Sequence, residues 1–166
     1  MSTAQDLKDA FAGESQANRR YLAFAKKAAQ DGFPQVARLF RTIAEAETVH
    51  AHRHFRVMGG VKSTADNVQT AIDGEAYEVK TMYPTMLAGA TTEGNKAAQS
   101  SFGDTLQVEK EHLGFYTTAL DAVKSGKDIA AASMHVCSVC GHTVMGDAPD
   151  ICPICRSKKE KFMEIM

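Results

Sequence analysis

The chain has 166 residues, 44% of them apolar, enough for one domain of ordinary size with a real core plus a small appendage. Nineteen basic against twenty acidic residues leave a formal charge of -1 and no basic block, which argues against a nucleic-acid partner. The N-terminus lacks the apolar core of a signal peptide, and no stretch approaches the roughly 20 apolar residues of a membrane span, so a cytoplasmic protein with no membrane association is expected.

Apolar or small residues recur at helical spacing through Leu7, Ala10, Phe11, Ala17, Tyr21, Ala25 and Ala28, predicting a first helix that ends near Gly32-Phe33-Pro34. A second helix starts there, with an inward stripe of Val36, Phe40, Ile43 and Val57, and stops at Gly59-Gly60 before a polar connection. A third is expected from about Val68 to Ala90; within it Pro84 lacks an N–H and is expected to kink the rod. A fourth spans about Asn95 to Lys124. Four long helices with a long middle connection fit a ferritin-like four-helix bundle. This gives a mainly α protein with a bundle over residues 1–124, a linker over 125–134 and a small cysteine domain over 135–166.

An internal echo supports the layout. A shift of 62 residues places Tyr21 on Tyr83, Gly32 on Gly94, Phe40 on Phe102, Glu47 on Glu109 and His50 on His112, as in a doubled helical hairpin. The matched polar residues fall on apolar stripes: Glu14 in the first helix, Glu47 and His50 in the second, and Glu109 and His112 in the fourth, between Leu106 and Tyr116. The third helix adds Glu75 and Glu78. Most helical glutamates are solvated, and one Glu-x-x-His is common by chance. Two such motifs in register with a repeat are not. If five carboxylates and two imidazoles converge in a core, cations must lie among them, since unpaired buried charge costs several kcal/mol or is neutralised. Two Glu-x-x-His pairs plus glutamates from two other helices form the ligand set of carboxylate-bridged di-iron or di-manganese bundles, and zinc can substitute. Glu45 and Glu111 are assigned outward, His52 to the surface and His54 to the rim of the site.

All four cysteines lie in two Cys-x-x-Cys knuckles, Cys137 to Cys140 and Cys152 to Cys155, separated by eleven residues. Such knuckles arrange four thiolates tetrahedrally around one ion, zinc or iron; spacing does not choose between them. A segment this small has too little core to fold alone, so the metal supplies much of its stability. His135 and His142, which flank the knuckles, are expected at the surface.

Gly13-Glu14-Ser15-Gln16-Ala17, Glu47-Thr48-Val49-His50, Glu75-Ala76-Tyr77-Glu78 followed by Met82-Tyr83-Pro84, and Glu109-Lys110-Glu111-His112 together resemble the rubrerythrins. The Cys-x-x-Cys-Gly and Cys-Pro-x-Cys knuckles resemble that family's rubredoxin-like tail, and the match spans essentially the whole chain. One departure is Arg156, where free rubredoxins commonly have glycine after the second knuckle. The resemblance implies a non-haem peroxidase that reduces hydrogen peroxide to water in defence against oxidative stress. Two irons would be held by Glu14, Glu47, His50, Glu75, Glu78, Glu109 and His112, and one by Cys137, Cys140, Cys152 and Cys155. It further implies that one iron moves between Glu78 and His50 with redox state, and that Tyr21 and Tyr83 hydrogen-bond ligand carboxylates. The donor would be a rubredoxin or an NAD(P)H-dependent reductase. From His112 to Val123 the helix rises roughly 17 Å, so a chain's cysteine iron is expected far from its own carboxylate site. A head-to-tail homodimer passing electrons between chains follows as the expectation. The competing functions are a ferritin-like iron oxidase or store, and a bundle carrying a structural zinc ribbon.

Overall fold

The computed structural model describes residues 2–166. The chain divides into two compact units, with the break between Lys62 and Ser63.

The first unit is a hairpin of α1 (Thr3–Gln30) and α2 (Pro34–Val57). Ser2 caps α1 by accepting a hydrogen bond from the Gln5 N–H, and Pro34 opens α2, where its missing donor costs nothing. Between them Gly32 takes φ +83°, a left-handed turn that closes α1 as the Phe33 N–H bonds the Ala28 carbonyl. The seam between the helices is lined by small residues: Asn18, Ala25 and Ala28 on α1, and Ala37, Ala44 and Ala51 on α2, are all buried. Alanines seven apart let two helices approach closely along one line. Asn18 fixes the register, its Nδ2 donating to the Ala44 carbonyl at 2.7 Å and to Thr48 Oγ1 at 2.8 Å. The larger residues of the expected inward stripe lie on another face, where Val36 and Ile43 remain 45% and 37% exposed.

The second unit begins with α3 (Thr64–Tyr77), capped by Ser63, and continues through a π-helical turn (Glu78–Met82) into α4 (Tyr83–Thr92). The expected kink at Pro84 is thus a change of winding. Pro84 cannot donate, and its ring opposes the carbonyl one α-turn back. Just before it the ladder widens, and the Tyr83 N–H reaches the Glu78 carbonyl five residues earlier. The helix α5 (Lys96–Lys124), capped by Asn95, packs against both α3 and α4. The tail follows as a three-stranded antiparallel sheet with β1 (Met134–Cys137) at its centre, β2 (Thr143–Met145) on one side and β3 (Phe162–Ile165) on the other. Val108 of α5, Cys137 and Cys152 are its most deeply buried side chains. The architecture is of the mainly α, ferritin-like class with a small C-terminal metal-knuckle region. No helix among the described residues is long and apolar enough to cross a membrane.

Candidate metal centres

In the first unit, Glu14, Glu47 and His50 bring one donor atom each within 4.8 Å of one another. His50 Nδ1 lies 2.9 Å from Glu47 Oε2 and 4.0 Å from Glu14 Oε2. The second unit repeats this with Glu75, Glu109 and His112: Nδ1 of His112 lies 2.7 Å from Glu109 Oε2 and 4.0 Å from Glu75 Oε2. In each hairpin a tyrosine packs on a phenylalanine across the pair, Tyr21 on Phe40 at 6.1 Å and Tyr83 on Phe102 at 6.4 Å between ring centres.

The internal echo is broken at one place, and the π turn accounts for it. Seven residues separate Glu14 from Tyr21, whereas eight separate Glu75 from Tyr83. In an α-helix that extra residue would rotate one side chain about 100° away from its counterpart. The wide turn absorbs it, so Glu75 and Tyr83 occupy equivalent places to Glu14 and Tyr21. Glu78 sits at the start of this turn and lies outside the close triad.

The second unit's carboxylates are crowded. Burial raises Glu75, with the neighbouring carboxylates of Glu109 and Glu78 adding to the effect, to about 7. Burial and Glu109 also raise Glu78, against the opposing pull of His112. Tyr83 is raised by burial and then by Glu78, Glu109 and Glu75, so its phenol stands close enough to these carboxylates to feel their charge. Glu75 Oε2 is buried and has no hydrogen-bond partner. An orphaned carboxylate oxygen facing two further carboxylates and an imidazole nitrogen fits a hard or borderline cation.

The four cysteines are free thiols whose sulfurs converge, Cys137 and Cys155 at 3.7 Å and Cys140 and Cys152 at 3.6 Å. Four sulfurs about 2.3 Å from a central ion stand about 3.8 Å apart at the corners of a tetrahedron, so the knuckles fit a closed tetrathiolate site. The thiols are unequal. Burial pushes Cys140 up, against the His142 backbone N–H, while Cys155, despite its own burial, is drawn down to about 6 chiefly by the Ser157 hydroxyl and amide. Arg156 follows Cys155 with φ +62°, the left-handed place that Gly141 fills after the first knuckle at +84°.

Two expectations do not hold within this unit. His142 is buried rather than at the surface: its Nδ1 lies 2.6 Å from Oε2 of Glu111, a side chain that remains 31% exposed. The helical rise beyond His112 does not carry the knuckles away from it either, because the chain turns back after Gly126 and β2 returns to α5. There Thr143 Oγ1 lies 2.9 Å from His112 Nε2. Sequence periodicity carries no signal for such contacts, since they join residues about thirty positions apart across a linker.

A model described as rubrerythrin matches residues 6–120, and one described as the rubrerythrin, rubredoxin-like domain matches residues 135–163. The chain belongs to the rubrerythrin family. Similar relatives include rubrerythrin-2 of Clostridium acetobutylicum, 37% identical over 96% of this chain and 95% of that one. Nigerythrin of Nitratidesulfovibrio vulgaris is 33% identical over 97% of this chain and 85% of that one. A solved nigerythrin structure in a mixed-valence state has a TM-score of 0.57 at 32% identity, covering 99% of this chain and 87% of that one. The cofactors of a rubrerythrin, an iron pair among glutamates and histidines and a single iron among four cysteines, accord with the three donor groups found.

Proposed function

We propose that this rubrerythrin is a non-haem peroxidase that reduces hydrogen peroxide, H2O2 + 2 H+ + 2 e- giving 2 H2O, as a cytoplasmic defence against oxidative stress. The observation that carries the reading is that one chain bears two chemically different donor sets, carboxylate with imidazole on its helices and four thiolates in its tail. An iron pair in the first set supplies two electrons together and an open position for an oxygen ligand. Glu14, Glu47, His50, Glu75, Glu78, Glu109 and His112 would hold that pair, their negative charge offsetting the cations and Glu78 offering an additional oxygen. Tyr21 and Tyr83 would hydrogen-bond ligand carboxylates, and Tyr83 keeps its phenol proton available beside them. Cys137, Cys140, Cys152 and Cys155 close a four-coordinate shell that leaves no place for substrate, which suits one-electron transfer. Residues 1–124 are thus the peroxide-reducing part and 135–166 the electron-relay part. A rubredoxin or an NAD(P)H-dependent reductase is the external donor, and the working form is a homodimer.

Metal analysis joined to an anaerobic peroxide-reduction assay tests this. Two irons in the carboxylate set and one in the cysteine set, with reductant consumed in step with peroxide, are expected; a store would take up iron far beyond its ligand count. Glu47→Ala is expected to lower turnover about a hundredfold or more while leaving the visible absorption of the cysteine iron intact. Full activity in that variant refutes the assignment.

A further inference from the structure

We propose that the tetrathiolate centre feeds the carboxylate ligands of its own chain, with Thr143 as the bridge and positioning residue; this rests on the peroxidase reading for its purpose but not for its geometry. Thr143 Oγ1 lies 3.0 Å from the Gly141 carbonyl oxygen and 2.9 Å from His112 Nε2. A carbonyl only accepts, so the threonine hydroxyl donates to Gly141. Its oxygen is then left to accept from an Nε2–H. With a metal ion in place of any proton on Nδ1, that leaves His112 as the Nε2–H tautomer, ligating through Nδ1, the nitrogen turned toward Glu109 and Glu75. Gly141 directly follows Cys140. A continuous path of covalent and hydrogen bonds therefore runs from a cysteine ligand through Gly141 and Thr143 to the imidazole of a carboxylate-site ligand.

Two further contacts clamp the tail where the bridge needs it. His142 reaches Glu111 on α5 and is itself only 7% exposed, with its ring edge-on to Phe162 at 5.9 Å. Gly141 lies beside Val108, whose methyl an added Cβ would meet at an ordinary contact distance of 3.9 Å. The equivalent histidine of the other hairpin has no such bridge: the His50 side chain is 52% exposed against 26% for His112. With iron in both donor sets, each passage would take one electron from the ferrous tetrathiolate iron, leaving it ferric, and would reduce one ferric ion of the carboxylate set to ferrous. Two passages, replenished by an external one-electron donor, match one peroxide.

Nuclear magnetic resonance of the full chain loaded with zinc tests the bridge apart from any peroxide chemistry. An exchange-protected His112 Nε2–H signal with a cross-peak to the Thr143 methyl is expected, lost in Thr143→Val and kept in Thr143→Ser. In chains labelled at both histidine and threonine that cross-peak is expected, and in a mixture of chains labelled at histidine alone with chains labelled at threonine alone it is expected to vanish; its absence from the doubly labelled chains, or its appearance in the mixture, overturns the proposal. In the iron-loaded protein at equal metal content, Thr143→Val is expected to slow reoxidation of the cysteine iron by peroxide tenfold or more, read from its visible absorption in a single turnover, with Thr143→Ser close to wild type. An unchanged rate in Thr143→Val overturns it. If peroxide oxidises neither centre of the wild type while the cross-peak is present, the peroxidase reading fails and the bridge stands.

Discussion

Glu75 holds a proton at a pH where an ordinary glutamate has long lost one. Its folded value of about 7 against the usual 4.5 means that the metal-free fold binds this proton more tightly than the unfolded chain does. The resulting stabilisation is present below about 4.5 and is lost as pH rises toward about 7. A metal ion must displace the same proton, so binding tightens over the same rise and levels off above it. In metal-free protein, thermal denaturation followed across this range is expected to show a falling midpoint, and a manganese titration a rising affinity; Glu75→Gln is expected to flatten both. An affinity in the wild type that does not change between about pH 5.5 and 8 would remove Glu75 from the ligand set. Arg156 is a second residue held at a cost, since a side chain in the left-handed region is strained by about 1 kcal/mol relative to glycine. Arg156→Gly is expected to stabilise the metal-loaded tail by up to that amount, measured as slower loss of the cysteine-iron absorption in denaturant.

The π turn of Glu78–Met82 is the element on which the second hairpin's phasing depends. Deleting Lys80 together with Pro84→Ala removes both the extra residue and the proline that opposes regular winding. An uninterrupted α-helix is expected, with far-UV circular dichroism unchanged or slightly stronger. Tyr83 and all of α4 then turn about 100° relative to Glu75. Metal content of the carboxylate set is expected to fall while the cysteine-site spectrum stays as it was; retained metal would mean that the winding does not matter to the site. The elements themselves were largely legible in the sequence, because the signals that end helices act locally: Gly32 and Gly59 are read as stops, and both take the left-handed turn. The two glutamate-histidine pairs were legible for the same reason, their spacing being a property of one helix. The seam of Ala37, Ala44 and Ala51 was not, since an amphipathic stripe reports that a face is apolar and not which neighbour covers it. Nor was the π turn, although the displaced spacing of Glu75 and Tyr83 carried its trace.

At the scale of the molecule, each hairpin presents three close donors, and three protein ligands leave a single ion short of a full shell. The proposed pair of ions, if carboxylates bridge it, would fill the shells and offset most of the charge of the five glutamates. Independent single-ion sites would leave Glu78, which lies outside both triads, poorly compensated. The two arrangements respond differently to loss of one half. If the ions are shared, Glu47→Ala and Glu109→Ala each empty the carboxylate set almost completely, because removing a bridge weakens both ions together. If each hairpin keeps its own ion, each variant loses one ion and retains the other. Iron or manganese counted per chain, with the tetrathiolate absorption as the internal standard for intact protein, separates the cases. Coupled loss from either variant is the result that the proposed ligand set predicts, and loading that also weakens on dilution would mean that more than one chain supplies the ligands.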